Sequence, residues 1–138
     1  MIKGIGHTAF VVRNMEPMLH FYSEVLGFKQ LFELKKPENG EPWIVYLKVR
    51  EGQFIELFYG GEKSVDTDIS TIGYHHLCLE VDDIHEMANR LKESGITLDK
   101  EIKQGLDLNY QCWVSDPDGN RIEFMQLHPE CPQLKSDE

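Results

Sequence analysis

The sequence predicts an α+β fold made of two tandem βαβββ modules, and two observations carry that prediction. The first is an internal repeat: Gly4-Ile-Gly-His7-Thr-Ala-Phe-Val-Val is answered by Gly73-Tyr-His-His76-Leu-Cys-Leu-Glu-Val. The second is the order of patterns after each copy. An apolar strand runs into a helical period, a Gly-apolar stop (Gly27-Phe28, Gly95-Ile96) and further strands, the last bearing a Glu. His7 precedes Glu56 by 49 residues (56 − 7), and His76 precedes Glu123 by 47 (123 − 76). A fixed-period repeat bears on the whole fold, because each copy is one supersecondary unit.

Each element has its own warrant. Residues 5–12 are rich in Val and Phe and read as a strand. Asn14 is placed to cap a helix with Pro17 in its first turn. Met15, Met18, Leu19, Tyr22, Val25 and Leu26 follow a 3.6-residue period, and Gly27 stops it. Residues 28–34 read as a strand, and Pro37 to Pro42 as a turn-rich loop. Residues 43–49 and 53–59 read as strands joined by a tight hairpin at Glu51-Gly52.

The second copy repeats the order, with a strand at 76–81. Asp83 with Glu86 three residues on forms a capping box, and Ile84, Met87, Ala88 and Leu91 line one face of the helix that follows. Gly95 ends that helix. Strands are expected at 96–102, 110–115 and 121–127, with Asp116-Pro-Asp-Gly119 as a turn. The boundaries are then module one 4–59, linker 60–72, module two 73–127 and a frayed tail 128–138. Neither module is large enough to bury both faces of its sheet alone, so the two are expected to pack or pair.

Composition narrows the function. Fourteen basic against 24 acidic residues give a net charge of −10, which argues against nucleic acid or an anionic membrane as partner. No apolar run approaches the roughly 20 residues that span a bilayer. No long apolar segment follows Met1, so no signal peptide is expected. Cys78, Cys112 and Cys131 are an odd set without metal-type spacing. They read as reduced thiols in a cytoplasmic protein, with Cys78 and Cys112 in the core.

The chemistry is expected at the repeated His and Glu. Glu56 lies in Phe-Ile-Glu-Leu-Phe, where an ionised carboxylate is costly unless paired or bound to a metal. Taken alone, strand alternation favours a Glu56 that faces water beside inward Ile55 and Leu57. The duplication shifts that balance: His7, Glu56, His76 and Glu123 at equivalent places point to a pseudo-twofold site for one divalent ion per site (Ni, Zn, Co, Mn or Fe). His75 is one residue out of register with His7. His20, His85 and His128 have no repeat partner and read as surface or structural residues. No nucleophile elbow, dinucleotide fingerprint or P-loop is present.

With these residues in place, the chain resembles the vicinal oxygen chelate superfamily, which includes glyoxalase I, fosfomycin-resistance enzymes, extradiol dioxygenases and methylmalonyl-CoA epimerase. Gly-His-Thr-Ala-Phe-Val-Val, Phe21-Tyr-Ser-Glu-Val-Leu-Gly-Phe28, His76-Leu-Cys-Leu-Glu-Val-Asp-Asp-Ile84 and Asp116-Pro-Asp-Gly-Asn-Arg-Ile-Glu123 carry the likeness over about residues 4–127. It implies a single domain whose paired modules form a cupped mixed sheet around the metal. His7, Glu56, His76 and Glu123 fall on the four ligand positions of glyoxalase I, and Glu at both carboxylate positions favours that branch. There a carboxylate moves a proton through a metal-bound enediolate. Glu123 matches the main base, with Glu56 as a second acid or base.

The resemblance also implies a homodimer and a small-molecule substrate. Lys103 and Gly105 match a substrate loop, and Tyr46, Trp43, Tyr59, Asn109, Gln111 and Trp113 are candidates to line the pocket. Similar bacterial glyoxalases hold glutathione with an Arg and an Asn, where this chain has Val11 and Gly60. The expected function is a metal-dependent glyoxalase-like lyase or isomerase for a small α-oxygenated carbonyl compound, with glutathione use doubtful. The alternatives are another metalloenzyme of the superfamily (epimerase, extradiol dioxygenase or thiol transferase for antibiotic resistance) or a metal-free drug- or ligand-binding protein.

Overall fold

The structure, a computed structural model, describes residues 1–64, 66 and 68–138. The chain divides into two compact units, Met1–Asp66 and Thr67–Glu138. The expected linker 60–72 contains Val65 and Thr67, which lie outside the described residues. The α+β class agrees with the expectation: each unit carries one four-stranded mixed sheet with helix beside it.

In the first unit β1 (His7–Val11) is followed by α1 (Met15–Leu19), a π-helical segment (His20–Val25), β2 (Lys29–Lys35), β3 (Pro42–Arg50) and β4 (Gln53–Phe58). The sheet order is β1-β4-β3-β2, with β1 parallel to β4 and the other pairs antiparallel. The first helix starts where expected, but the Asn14 side chain makes no capping hydrogen bond. Its second half also departs from a 3.6 period: the Leu26 N–H donates to the Phe21 carbonyl, five residues back, at 3.0 Å. That wider turn buries Phe21 and Tyr22 side by side, with ring centroids 4.8 Å apart, edge to face. Met18, Tyr22, Val45, Leu47 and Leu57 are fully buried here. Each such side chain contributes about 1.5–3 kcal/mol by leaving water.

In the second unit β5 (Leu77–Glu80), α2 (Ile84–Glu93), β6 (Lys100–Gln104), β7 (Tyr110–Ser115) and β8 (Arg121–Gln126) repeat the order, and a short α3 (Pro132–Ser136) follows. The sheet order β5-β8-β7-β6 is the first unit's order again. Asp83 caps α2, accepting from the His85 and Glu86 N–H groups at 2.9 and 3.1 Å. Gly95, at φ 80°, closes it: the Ile96 N–H donates to Leu91 O and the Gly95 N–H to Lys92 O. Ile84, Ala88 and Leu91 of α2 are buried, as are Cys112 and Val114 of β7 and Ile122 and Phe124 of β8.

Two expectations fail here. Leu98 is buried outside any strand, and β6 begins only at Lys100, four residues later than read. The tail is not frayed throughout: Cys131 is fully buried and starts α3, and Gln133 accepts from Asn109 Nδ2 at 3.2 Å.

Candidate functional site

In each unit the first strand pairs in parallel with the last, and this sets the His beside the Glu. In the first unit His7 is registered with Phe54 and Ala9 with Glu56. Successive residues on a strand point to opposite faces, so His7, Ala9 and Glu56 share one face, while Ile55 and Leu57 share the other. His7 Nε2 lies 2.8 Å from Glu56 Oε2. Glu56 is only 6% exposed, so the water-facing alternative for this carboxylate does not hold; both faces of β4 are covered. Tyr46 on β3 is registered with Glu56 and so shares its face of the sheet. Burial and then the Glu56 charge raise the Tyr46 phenol above its ordinary value.

The second unit repeats the arrangement. His76 Nε2 is 3.0 Å from Glu123 Oε2, and Cys78 is registered with Glu123. His76 Nδ1 lies 2.6 Å from His75 Nδ1, and its ring packs edge-on against Trp113 at 4.6 Å. Cys78 is exposed rather than in the core. Although the residue keeps some surface, lost solvation and then the Glu123 charge push that thiol up to about 12.

Each pair joins an imidazole nitrogen and a carboxylate oxygen at hydrogen-bond distance. That donor set suits a divalent first-row ion, with the carboxylate and imidazole already turned toward each other. Among the described residues no group of three or more His, Cys, Asp and Glu side chains converges on one point. The residues therefore present themselves as two pairs.

Of the expected substrate residues, Lys103, Gly105 and Trp113 line one cavity of about 280 Å³ in the second unit, together with Lys100 and Gln111. Lys100 Nζ sits 5.2 Å above the Trp113 ring, and the Trp113 Nε1–H donates to Gln111 Oε1 at 2.6 Å. A Cβ on Gly105 would come within 2.8 Å of Asp107 Oδ1 and Gln111 Nε2, so this wall admits no side chain without a shift. Tyr46 belongs to the other unit, where it is registered with Glu56. Asn109 is fully buried and structural: its amide donates to Asp107 and Gln133, and its Oδ1 accepts from the His128 N–H. Tyr59 donates to Glu33 at 3.2 Å, and Trp43 packs edge-on against Phe58. Of the unrepeated histidines, His20 pairs with Glu24 at 2.8 Å, and His128 Nδ1 accepts from the Glu130 N–H.

The register of Tyr46 with Glu56 and of Cys78 with Glu123 was not read from the sequence. The signal was present in the repeat, since Cys78 follows His76 by two residues as Ala9 follows His7.

Residues 4–124 match the family model of the Glyoxalase/Bleomycin resistance protein/Dioxygenase superfamily. The chain belongs to that superfamily. Among its relatives, a lactoylglutathione lyase of Neisseria meningitidis is 34% identical over 127 residues, covering 87% of this chain and 88% of the relative. A probable lactoylglutathione lyase of Vibrio parahaemolyticus is 32% identical over 127 residues, covering 88% and 89%. Among solved structures, a glyoxalase family protein from Enterococcus faecalis superposes with a TM-score of 0.78 at 28% identity, covering 89% of this chain and 97% of that one. This chain thus shares its fold with a solved glyoxalase family protein.

Proposed function

We propose that this superfamily member is a metal-dependent lyase or isomerase of the glyoxalase type, acting on a small α-oxygenated carbonyl compound. The observation that carries the reading is the duplicated pair, His7 with Glu56 at 2.8 Å and His76 with Glu123 at 3.0 Å. These four residues are the proposed ligands, with one divalent ion per site. When bound, the ion supplies Lewis-acid stabilisation of negative charge developing on substrate oxygen.

The remaining chemistry belongs to the protein. Glu123 takes the proton from the carbon next to the carbonyl and returns it to the neighbouring carbon, and Glu56 is available as a second acid or base. His75, against the far nitrogen of His76, fixes the ring that would ligate. Lys103, Gly105 and Trp113 form the wall against which the substrate is held, with Lys100 and Lys103 favouring an anionic substituent.

Val11 is 66% exposed, and neither it nor Gly60 carries a side chain able to bind a carboxylate. This supports a substrate other than the glutathione hemithioacetal. A homodimer is part of the proposal, supported by an edge strand, β2, that is exposed throughout and carries Leu31, Phe32 and Leu34; sedimentation equilibrium tests it.

Elemental mass spectrometry of the purified protein beside His76→Ala tests the reading. About one divalent ion per chain, lost in the variant, is expected. No metal after reconstitution with Ni, Co, Zn, Mn and Fe(II) overturns the metal mechanism and leaves a binding protein.

A further inference from the structure

The turn between β6 and β7 stores backbone strain. Leu108 sits at φ 73°, and among the described residues it is the one non-glycine with positive φ. The turn is closed by two backbone bonds: the Leu108 N–H donates to Gly105 O at 3.0 Å, and the Gly105 N–H to Asn109 O at 2.9 Å. A hairpin of this kind wants a left-handed residue late in the turn, and glycine fits there without strain. A bulky leucine persists there because the surrounding structure holds the turn.

The hold comes from Asp107, Asn109 and the C-terminal helix. Asp107 Oδ1 accepts from the Asn109 N–H at 3.1 Å, and Asp107 Oδ2 from Asn109 Nδ2 at 3.0 Å. Gln133 on α3 closes a triangle with them. Its Oε1 accepts from Asn109 Nδ2 at 3.2 Å, and its Nε2 donates to Asp107 Oδ2 at 3.4 Å. The buried Cys131 anchors the start of α3, so Gln133 is delivered by a fixed element. Asp107 in turn backs the cavity wall. Its Oδ1 stands 2.8 Å from the place of a Cβ on Gly105, and Gly105 and Leu106 line the cavity with Lys100 and Lys103. Glu101, which also borders that cavity, is paired with Lys92 at 3.0 Å.

We propose that Gln133 is a positioning residue: through Asp107 and Asn109 it latches the strained turn 105–109, and so sets the Gly105–Leu106 wall for an anionic ligand held by Lys100 and Lys103. The inference rests on the reading of this cavity as the substrate's, under Proposed function. Its physical content is that a strained turn relaxes to other shapes once its outer hydrogen bonds are lost, and a wall that must be re-ordered on binding weakens the ligand. The C-terminal segment thereby acts on binding although Gln133 does not itself line the cavity.

Two readouts on the full-length chain test this. One is hydrogen exchange at the Gly105 and Leu108 amides, followed by NMR. The other is titration with inorganic phosphate, read from Trp113 fluorescence in chains that also carry Trp43→Phe, which leaves Trp113 as the sole tryptophan. Gln133 is an exposed helical residue and alanine suits a helix, so Gln133→Ala keeps the fold. It is expected to speed exchange at Leu108 roughly tenfold and to weaken phosphate binding roughly three- to tenfold, about the worth of one hydrogen bond. Gln133→Glu, which sets a second carboxylate against Asp107, is expected to do at least as much. Adding Leu108→Gly removes the strain and is expected to return the Gln133→Ala chain to within about twofold of wild type in both readouts. Unchanged exchange in Gln133→Ala overturns the latch. Faster exchange with unchanged phosphate affinity overturns the positioning role, as does a failure of Leu108→Gly to rescue. If the chain with Gln133 intact binds no phosphate, the reading of the cavity fails and the inference fails with it.

Discussion

His7 and Glu56 meet across a diagonal of their parallel strand pair rather than along a rung. The registered partners are His7 with Phe54 and Ala9 with Glu56, yet the side chains close to 2.8 Å. Diagonal neighbours in a sheet lie about 7–8 Å apart at the backbone, a gap that only long side chains bridge. His76 and Glu123 are offset in the same way, since Glu123 is registered with Cys78. A one-residue slip in either unit would turn the His to the opposite face.

Glu123→Gln preserves that shape and removes the base. Turnover is expected to fall by roughly 10²–10⁴-fold or more, with circular dichroism and melting unchanged. A Gln variant that retains turnover removes Glu123 from the base role.

Val11→Arg combined with Gly60→Asn is expected to raise kcat/KM for glutathione hemithioacetals by about tenfold, the worth of one new charge-assisted hydrogen bond. Val11 is exposed, and a Cβ at Gly60 meets no atom within 4 Å. Gly60 sits at φ 96°, and Asn tolerates such backbone better than most residues. Steady-state kinetics on paired thiols decides this. No gain would place the exclusion of glutathione elsewhere in the pocket.

Asp83→Ala removes the cap of α2 and is expected to cost about 1 kcal/mol by urea unfolding, leaving turnover intact. A loss of activity at unchanged stability would contradict a purely structural cap.

Alkaline pH is expected to weaken the fold. Burial, with the Glu101 charge adding to it, pushes the Cys112 thiol up to about 11, and Cys78 and Tyr74 are pushed up to about 12, from ordinary values of 9.0, 9.0 and 10.0. All three hold their protons longer when folded, so above about pH 9 the folded chain binds more protons than the unfolded one. The stability they contribute is full below that pH and is lost as pH rises toward 11–12. Urea midpoints measured from pH 8 to 11 should fall. At pH 8, iodoacetamide should label Cys78 far more slowly in native protein than in urea, despite its exposure; equal rates would refute the shifted thiol.

The order of elements, the α2 cap and the nearness of each repeated His to its Glu were legible in the sequence, because each rests on local chemistry or on the repeat. What it hid depended on packing. The wide turn at Phe21 and Tyr22 exists because both rings are buried, which no local period records. Leu98 looked like a strand residue because it is apolar, yet it is buried as a plug ahead of β6. Cys78 reverses its expectation, since the thiol expected in the core is exposed. Alternation tells which residues share a face but not which face is covered. Tyr46 looked like a pocket aromatic, and only the pairing of β3 with β4 sets it beside Glu56.

The parallel closure of each sheet also orders the folding of the site in time. β1 leaves the ribosome first, yet its sheet partner β4 comes last in its unit, and β5 waits in the same way for β8. Closing those long loops is the entropically costly step, paired with the least local contacts in the unit. His7 and His76 therefore cannot meet their carboxylates until the unit is otherwise built. Each pair is a late contact of its unit, and a chain stopped before Arg121 would carry His76 without its carboxylate partner.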